Sequence, residues 1–306
     1  MKEKLRIGTR GSPLAVIQAE TVGKLLQGAH PGLAVDYVIV KTSGDRIQDR
    51  PLAEVGGKGL FTKEIEQALF AGEIDLAVHS MKDVETFLPD GLCIAAMLPR
   101  EDPRDALLAA EGETLDTLPA GARIGTSSVR RQAQILHRRP DLAVVPFRGN
   151  VQTRLRKLGE GEADATLLAA AGLKRLNSLD IATQVLGVDD ILPAAGQGAI
   201  GVEIRCDDAE VLAMLAAIDH ADTTLCIAAE RAVLAALDGS CRTPIGALAE
   251  LDALDGSVFL RGLVARPDGS ELHRGDRRGS RAEAEAMAAD LGSELRATMG
   301  EDFFKW

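Results

Sequence analysis

Cys241 lies in Asp238-Gly239-Ser240-Cys241-Arg242-Thr243-Pro244, a turn after a helical stretch with an arginine beside the thiol. An exposed, electropositive setting lowers a thiol's pKa and makes it a nucleophile. Cys241 is either that nucleophile or a passive loop cysteine; spacing alone leaves both open, and no histidine adjoins it to suggest a protease-like pair. Cys93 and Cys226 sit in Leu-Cys-Ile triplets and read as core, while Cys206 follows a strand and stays ambiguous. Asp83 closes Val78-His79-Ser80-Met81-Lys82-Asp83. A carboxylate just past the carboxyl end of a strand faces the ligand side of a parallel sheet, where it can stabilise a developing cation or move a proton. The competing reading is a helix N-cap. His79 reads as structural rather than catalytic. The third group is cationic. Arg123, Arg130, Arg131, Arg138, Arg139, Arg148, Arg154, Arg156 and Lys157 stand against one acid, Asp141, in a chain of net charge -11. Arginine outnumbers lysine here, which favours bidentate recognition of carboxylate or phosphate, so the stretch reads as a site for a polyanion. Arg138, Arg139, Arg156 and Lys157 are expected on solvated helix faces.

The elements that must position these groups carry a faint repeat. Arg6-Ile7-Gly8-Thr9 recurs as Arg123-Ile124-Gly125-Thr126, and Gly72-Glu73-Ile74-Asp75 as Gly161-Glu162-Ala163-Asp164. Between the marks both halves read strand, helix, strand, helix, strand. The middle strands are 35–41 and 142–147; the helices are 13–27 with 63–70, and 129–138 with 151–158. Alternating strands and helices predict parallel sheets covered by helices. Two such domains leave a cleft, with ligands outside the carboxyl ends of the strands. Each repeated mark precedes a helix N-terminus, which favours an anion. Arg10, Ser12, Thr126, Ser127, Ser128, Arg130 and Arg131 are expected to converge there, although Ser12 and Ser127 alone would read as helix caps. Residues 55–61 form a loop before a helix. It lacks the ending of a phosphate loop and reads as a mobile lid carrying Lys58 and Phe61. The glycine-rich segment at 194–204, which contains Gln197, reads as a turn and a strand returning to the first domain's sheet. A helix at 223–237, strands near 245–250, 257–265 and 271–274, and a helix at 282–298 predict a small α+β domain. The boundaries expected are 1–98 plus 196–216, 99–195 and 217–306.

Composition narrows the function. A chain of 306 residues with 46% apolar content has cores for two or three domains. No apolar run approaches the roughly 20 residues that span a bilayer, and the first residues carry no signal-peptide core, so the chain reads as cytoplasmic. Four scattered cysteines without metal spacing are expected as free thiols, with no metal bound. Net charge -11 and 3% aromatics argue against a nucleic-acid surface.

The motifs Arg10-Gly11-Ser12-Pro13-Leu14-Ala15, Val78-His79-Ser80-Met81-Lys82-Asp83, Gly125-Thr126-Ser127-Ser128 with Arg130-Arg131, Arg148-Gly149-Asn150-Val151 with Thr153-Arg154, and the Cys241 loop closely resemble the porphobilinogen deaminase (hydroxymethylbilane synthase) family. The resemblance spans nearly the whole chain. One departure is Glu85, where the family pattern has proline. The resemblance implies two duplicated domains like type II periplasmic binding proteins around a cleft, plus a third, α+β domain. It implies an enzyme that condenses four porphobilinogen molecules on a covalent dipyrromethane primer, releasing ammonia and then hydroxymethylbilane. It implies a thioether from Cys241 to the primer, and Asp83 as the group that stabilises the azafulvenium cation and takes up the proton. Ser80, Lys82, Asp83, Thr126, Ser127, Ser128, Arg130 and Arg131 would bind the primer. Arg10, Ser12, Arg148, Arg154 and Gln197 would bind substrate, under a lid with Lys58 and Phe61. The partner is then a small molecule, with no nucleic acid or membrane, and the protein a monomer. A soluble anion-binding regulator on the same cleft is the alternative; it accounts for the arginines and the duplication but not for a reactive cysteine in an appended domain.

Overall fold

The computed structural model describes residues 2–46, 59–240, 243–300 and 302–304; Lys58 and Cys241 lie outside them. The chain runs through β1 (Lys4–Thr9), α1 (Pro13–Ala29), β2 (Ala34–Ile39), α2 (Ser43–Arg46), α3 (Lys63–Phe70), β3 (Leu76–Ser80), a 3-10 turn (Met81–Asp83) and β4 (Leu92–Met97). It continues through β5 (Asp105–Leu108), β6 (Arg123–Gly125), α4 (Val129–Arg138), β7 (Ala143–Val145), α5 (Val151–Gly159), β8 (Ala165–Ala169), α6 (Ala170–Arg175) and β9 (Gln184–Val185). Then come β10 (Ile200–Arg205), α7 (Ala209–Leu215), α8 (Ala221–Ala236), β11 (Ile245–Leu251), β12 (Val258–Ala265), β13 (Leu272–Gly279) and α9 (Ala284–Ala297).

The first sheet has the order β2-β1-β3-β10-β4 and the second the order β7-β6-β8-β5-β9. In both, the first three strands are parallel and the fourth runs antiparallel to its two neighbours. The return of residues 200–204 to the first sheet is therefore real: β10 fills the place between β3 and β4, and β5 holds the corresponding place between β8 and β9 in the second sheet. This shared order is the arrangement expected of a duplicated type II periplasmic-binding-protein-like fold. The strand-helix-strand-helix-strand reading stops short in each half, because β4, β5 and β9 went unassigned. They are short and buried or partly so, and such strands show no polar alternation to read.

The chain separates into two compact units, the first running to Glu101 and resuming at Ala199–Thr224, the second holding Asp102–Gly198 and everything from Leu225. In the first unit, α1 and α7 cover one face of the sheet through Ala19, Val22, Leu26 and Met214 against Leu5, Ile7, Val78 and Val202. Ile65 and Leu69 of α3 cover the other against Ile74 and Ala77. In the second unit, Ile135 of α4 packs on Leu107, Ile124 and Leu167. The antiparallel sheet β11-β12-β13 lays one face on α8 and α9 through Val233, Leu260, Leu291 and Phe303. Phe303 is thus docked, a point the sequence left open. The other face puts Leu248 and Leu263 against Ala133 of α4. The turn before β13 abuts the same helix: the Gly269 carbonyl lies 3.0 Å from His137 Nδ1, Gln132 donates to the Pro267 carbonyl, and a Cβ on Gly269 would stand 2.5 Å from the His137 backbone nitrogen.

The sequence repeat is a structural one. Arg6 donates its backbone N–H, Nε and Nη2 to Asp75 at 2.8, 3.0 and 3.0 Å. Arg123 does the same to Asp164 at 2.7, 3.3 and 2.8 Å. The two repeated tetrapeptides of each half therefore hold each other, tying the start of the first strand to the residue before the third. Burial pushes the Asp75 carboxyl up, but the Arg6 hydrogen bonds and Lys2 outweigh it and hold the pKa at about 2. The unfolded value is about 3.9. A group depressed on folding contributes its full stabilisation above the unfolded value and loses it as pH falls through the folded one. Stability should therefore decline between about pH 4 and pH 2, and Asp75→Asn should lower the midpoint of thermal unfolding at pH 7 while flattening that decline. A pH profile of unfolding unchanged by the substitution would refute this assignment.

Candidate active site

The first unit builds a pocket at the carboxyl ends of β1 and β3. Thr9 ends β1, and its hydroxyl donates to the Ala15 carbonyl at 3.0 Å. Ser12 caps α1 by accepting from the Ala15 N–H at 3.3 Å, with Pro13 at the first helical position, so serine and proline start the helix here by their usual preferences. This leaves Arg10 in the turn between strand and helix. Arg10, Ser12, Phe61, His79, Ser80 and Asp83 line a depression of about 410 Å³ including its open mouth. Arg10 Nη1 lies 3.7 Å from Asp83 Oδ2, and its guanidinium carbon sits 4.2 Å from the Phe61 ring centroid. The aromatic face and the carboxylate fix the guanidinium from two sides.

Asp83 is the last residue of the 3-10 turn and Val84 continues in extended backbone, so the N-cap reading is discarded. Its side chain is 34% exposed, open to a ligand yet beside a cation. Lys82 precedes it in the same turn. Ser80 shares two hydrogen bonds with the Gln18 amide, at 2.9 and 3.1 Å, which fixes the serine at the pocket wall. His79 behaves as the structural reading expected: its Nε2 lies 2.8 Å from Glu203 Oε2, and both residues are buried. Burial pushes the nearby Glu66 carboxyl above its usual range, and the charge on Glu203 adds to that. Glu85, in the place of the expected proline, accepts from the Gly59 N–H at 2.8 Å. It ties the end of the Asp83 segment to the chain entering α3.

The second unit holds the arginine motif. The Thr126 hydroxyl accepts from the Ser128 N–H at 3.1 Å, Ser127 from the Phe147 N–H at 3.1 Å, and Ser128 caps α4 by accepting from the Arg131 N–H at 3.4 Å. The three hydroxyls therefore shape the start of α4. Arg130 and Arg131 are buried. Arg130 donates to Asp105 Oδ2 at 2.8 Å and to the Leu192 carbonyl at 2.6 Å; Arg131 donates to Asp105 Oδ1 and to the Leu167 carbonyl, both at 2.7 Å. Gln197 also donates to Asp105, at 2.8 Å, and to the Pro103 carbonyl. Burial pushes the Asp105 carboxyl up, but the two guanidiniums outweigh it and hold it well below the usual carboxylate range. Burial lowers Arg130, against the pull of Asp105. The Nε of each arginine is buried without a hydrogen-bond partner. Arg148 is half-buried before α5, and Arg154 donates Nε to the Gly149 carbonyl at 3.0 Å.

The other cations of the stretch face acids that, Asp141 apart, lie outside it. Arg123 pairs with Asp164, Arg138 with Asp116 and Asp190, Arg139 with Asp141, Arg156 with Glu160 and Lys157 with Glu162. The structure thus brings Arg10, Ser12, Phe61, Ser80 and Asp83 into one pocket of the first unit, and Arg130, Arg131 and Gln197 onto one carboxylate of the second. Gln18, Glu203 and Asp105 are residues that the sequence did not single out. Asp105 had a faint signal, an acid opening the apolar segment Ala106-Leu107-Leu108 when two arginines elsewhere needed a counter-ion.

Residues 5–213 match the family model described as porphobilinogen deaminase, dipyromethane cofactor binding domain, and residues 224–299 that described as porphobilinogen deaminase, C-terminal domain. The porphobilinogen deaminase of Paracoccus denitrificans is 55% identical over 305 residues, covering 99% of this chain and 96% of the relative. The chloroplastic porphobilinogen deaminase of Oryza sativa subsp. japonica is 54% identical over 306 residues, covering 98% and 85%. Among solved structures, the Bordetella pertussis BvgS periplasmic VFT2 domain is 17% identical with a TM-score of 0.42, over 71% of this chain and 86% of that one. The methionine binding protein MetQ is 15% identical with a TM-score of 0.43, over 71% and 90%.

The buried His79–Glu203 contact yields a stability test. Glu203→Leu leaves the imidazole without its partner, and should cost about 1–3 kcal/mol, read as a shift in the denaturation midpoint. A midpoint equal to wild type would mean that His79 finds another partner.

Proposed function

The chain belongs to the porphobilinogen deaminase family, and from that premise we propose that it joins four porphobilinogen molecules head to tail, releasing ammonia at each addition, and frees hydroxymethylbilane by adding water. The observation that carries this reading is the place of Asp83: a partly exposed carboxylate beside Arg10 in a pocket at the carboxyl end of β3. Departure of ammonia leaves a cation conjugated to a pyrrole, and a carboxylate at close range stabilises it. The same group can accept the α-proton whose loss, once the new carbon–carbon bond has formed, restores the attacking ring's aromaticity. Arg10, beside Asp83 and against the Phe61 ring, brings a cation to the pocket that a substrate carboxylate enters.

The family's dipyrromethane group suits the residues present. Each of its rings bears two carboxylates, and Arg130 and Arg131 each spend two of the five N–H donors of a guanidinium while their buried Nε atoms lack a partner. When bound, the group supplies a covalent primer that remains with the enzyme while units are added. In this reading Cys241 holds it by a thioether, and Ser80, Lys82, Thr126, Ser127, Ser128, Arg130 and Arg131 hold its carboxylates and orient its rings. Arg10, Ser12, Arg148, Arg154 and Gln197 bind substrate and growing chain, and Lys58 and Phe61 belong to the lid. The reading includes three domains, 1–98 with 196–216, 99–195 and 217–306, and a monomer working in the cytoplasm. Among the described residues Cys93, Cys206 and Cys226 form no disulfide. A regulator on the same fold would leave the family matches and Cys241 without a purpose.

Two substitutions test these roles. Cys241→Ser should abolish the two-ring mass increment of the intact protein; its persistence would place the attachment elsewhere. Asp83→Asn should leave folding intact but slow single-turnover ammonia release from primed enzyme by about 10²–10⁴-fold. Release within a few-fold of wild type would remove Asp83 from the chemistry.

A further inference from the structure

Asp105 opens β5 and is wholly buried. Its carboxylate receives Arg130 Nη2 at 2.8 Å, Arg131 Nη2 at 2.7 Å and Gln197 Nε2 at 2.8 Å. Each arginine is pinned at a second point by a main-chain carbonyl, Leu192 for Arg130 and Leu167 for Arg131. Two contacts fix the plane of a guanidinium and so fix where its remaining N–H groups point. The charges do not balance. Two buried guanidiniums share one carboxylate, and both Nε atoms are left unsatisfied. Excess buried charge and orphaned donors are costly unless a further anion completes the cluster. A purely structural ion pair would need one arginine, not two. The second cation and the unsatisfied Nε donors instead provide for a carboxylate brought by a ligand.

We propose that Asp105 is the positioning residue for Arg130 and Arg131, holding both guanidiniums in the orientation that accepts carboxylates of the dipyrromethane primer, and that it thereby controls whether the protein acquires its primer. The proposal rests on the functional reading above. Asp105 touches neither primer nor substrate in this scheme; it acts through the arginines. Asn in its place keeps the volume but removes the charge. Two guanidiniums then repel each other across a neutral amide, and their planes are no longer set. Asp75 supplies a control, since it forms a comparable fork with Arg6 and belongs to the first unit, whereas the arginine motif belongs to the second.

The test compares intact masses of wild type, Asp105→Asn and Asp75→Asn, as purified and after incubation with porphobilinogen, alongside their thermal unfolding midpoints. The expected result is that Asp105→Asn carries the two-ring increment in a fraction lower by roughly tenfold or more, as the loss of charge-assisted bonds implies. Asp75→Asn should lose stability yet load as wild type does. Wild-type loading by Asp105→Asn would overturn the proposal, as would equal losses of loading in both variants, which would make loading a mere readout of stability. Should Asp105→Asn fail to fold, Asp105→Glu decides: it retains the charge one methylene out of place and should load more slowly, and loading at the wild-type rate would overturn the proposal. A wild type without any two-ring increment would instead sink the functional reading, and this proposal with it.

Discussion

The shared carboxylate of Asp105 is the constraint around which the second unit is organised. Arg130 and Arg131 stand in the first turn of α4, at the positive end of the helix dipole, where cations are disfavoured. Burying both there compounds the cost. The helix keeps its cations because β5, the strand that follows β4 in the chain and pairs between β8 and β9, delivers an anion to the same place. Gln197, at the other end of that unit's main segment, binds the same oxygen as Arg131. A local breach of stability rules at one helix start therefore explains why two distant segments converge on it. Such breaches are expected where a site has been favoured over stability.

Duplication shows in the details as well as the strand order. The Arg6–Asp75 and Arg123–Asp164 forks are the same device in both halves, and glycine follows the same logic. A Cβ on Gly8 would stand 2.3 Å from Ile74, and one on Gly125 2.5 Å from Phe147, so each half requires a bare backbone where its first strand meets a bulky apolar neighbour. Beyond these shared parts the halves diverge. After its third strand the first half places a 3-10 turn that presents Asp83; the second places α6 at the corresponding point. One frame thus carries an acid in one copy and a cation cluster in the other. A reaction that passes through a cation on a polyanionic substrate needs both.

In the first unit, the pocket walls are held from behind. Gln18 holds Ser80, Glu203 holds His79, and Phe61 lies against Arg10. Glu203 comes from β10, the strand added by the return crossover, so the first pocket depends on that crossover much as the arginine cluster depends on β5. The side chains that line the pocket are positioned by residues whose own contacts lie within the fold, an arrangement that keeps a pocket rigid.

Much of this was legible in the sequence, and for local reasons. Helices 63–70 and 129–138 were readable to the residue, because caps, apolar periodicity and breakers act within a few positions. The repeat was readable because its marks are the residues that bond to each other. Arg10, Ser12 and Asp83 could be placed at the cleft because each follows a strand end, whereas Ser80, the last residue of β3, came only from the family resemblance. The sequence could not reveal which acids meet which cations. Counted along the chain, 123–157 has one acid; in space Asp105, Asp116, Asp164, Asp190, Glu160 and Glu162 reach into it. Electrostatic pairing depends on distance through space, and partners tens of residues away leave no periodic signal. For the same reason Asp105, Gln18 and Glu203 passed unnoticed, and β4, β5 and β9 went unread: short strands take their identity from the neighbours they pair with. Composition and motif determined the family and the chemical groups at its disposal; only the tertiary structure decided which cations are engaged by the protein's own acids and which buried donors remain unsatisfied.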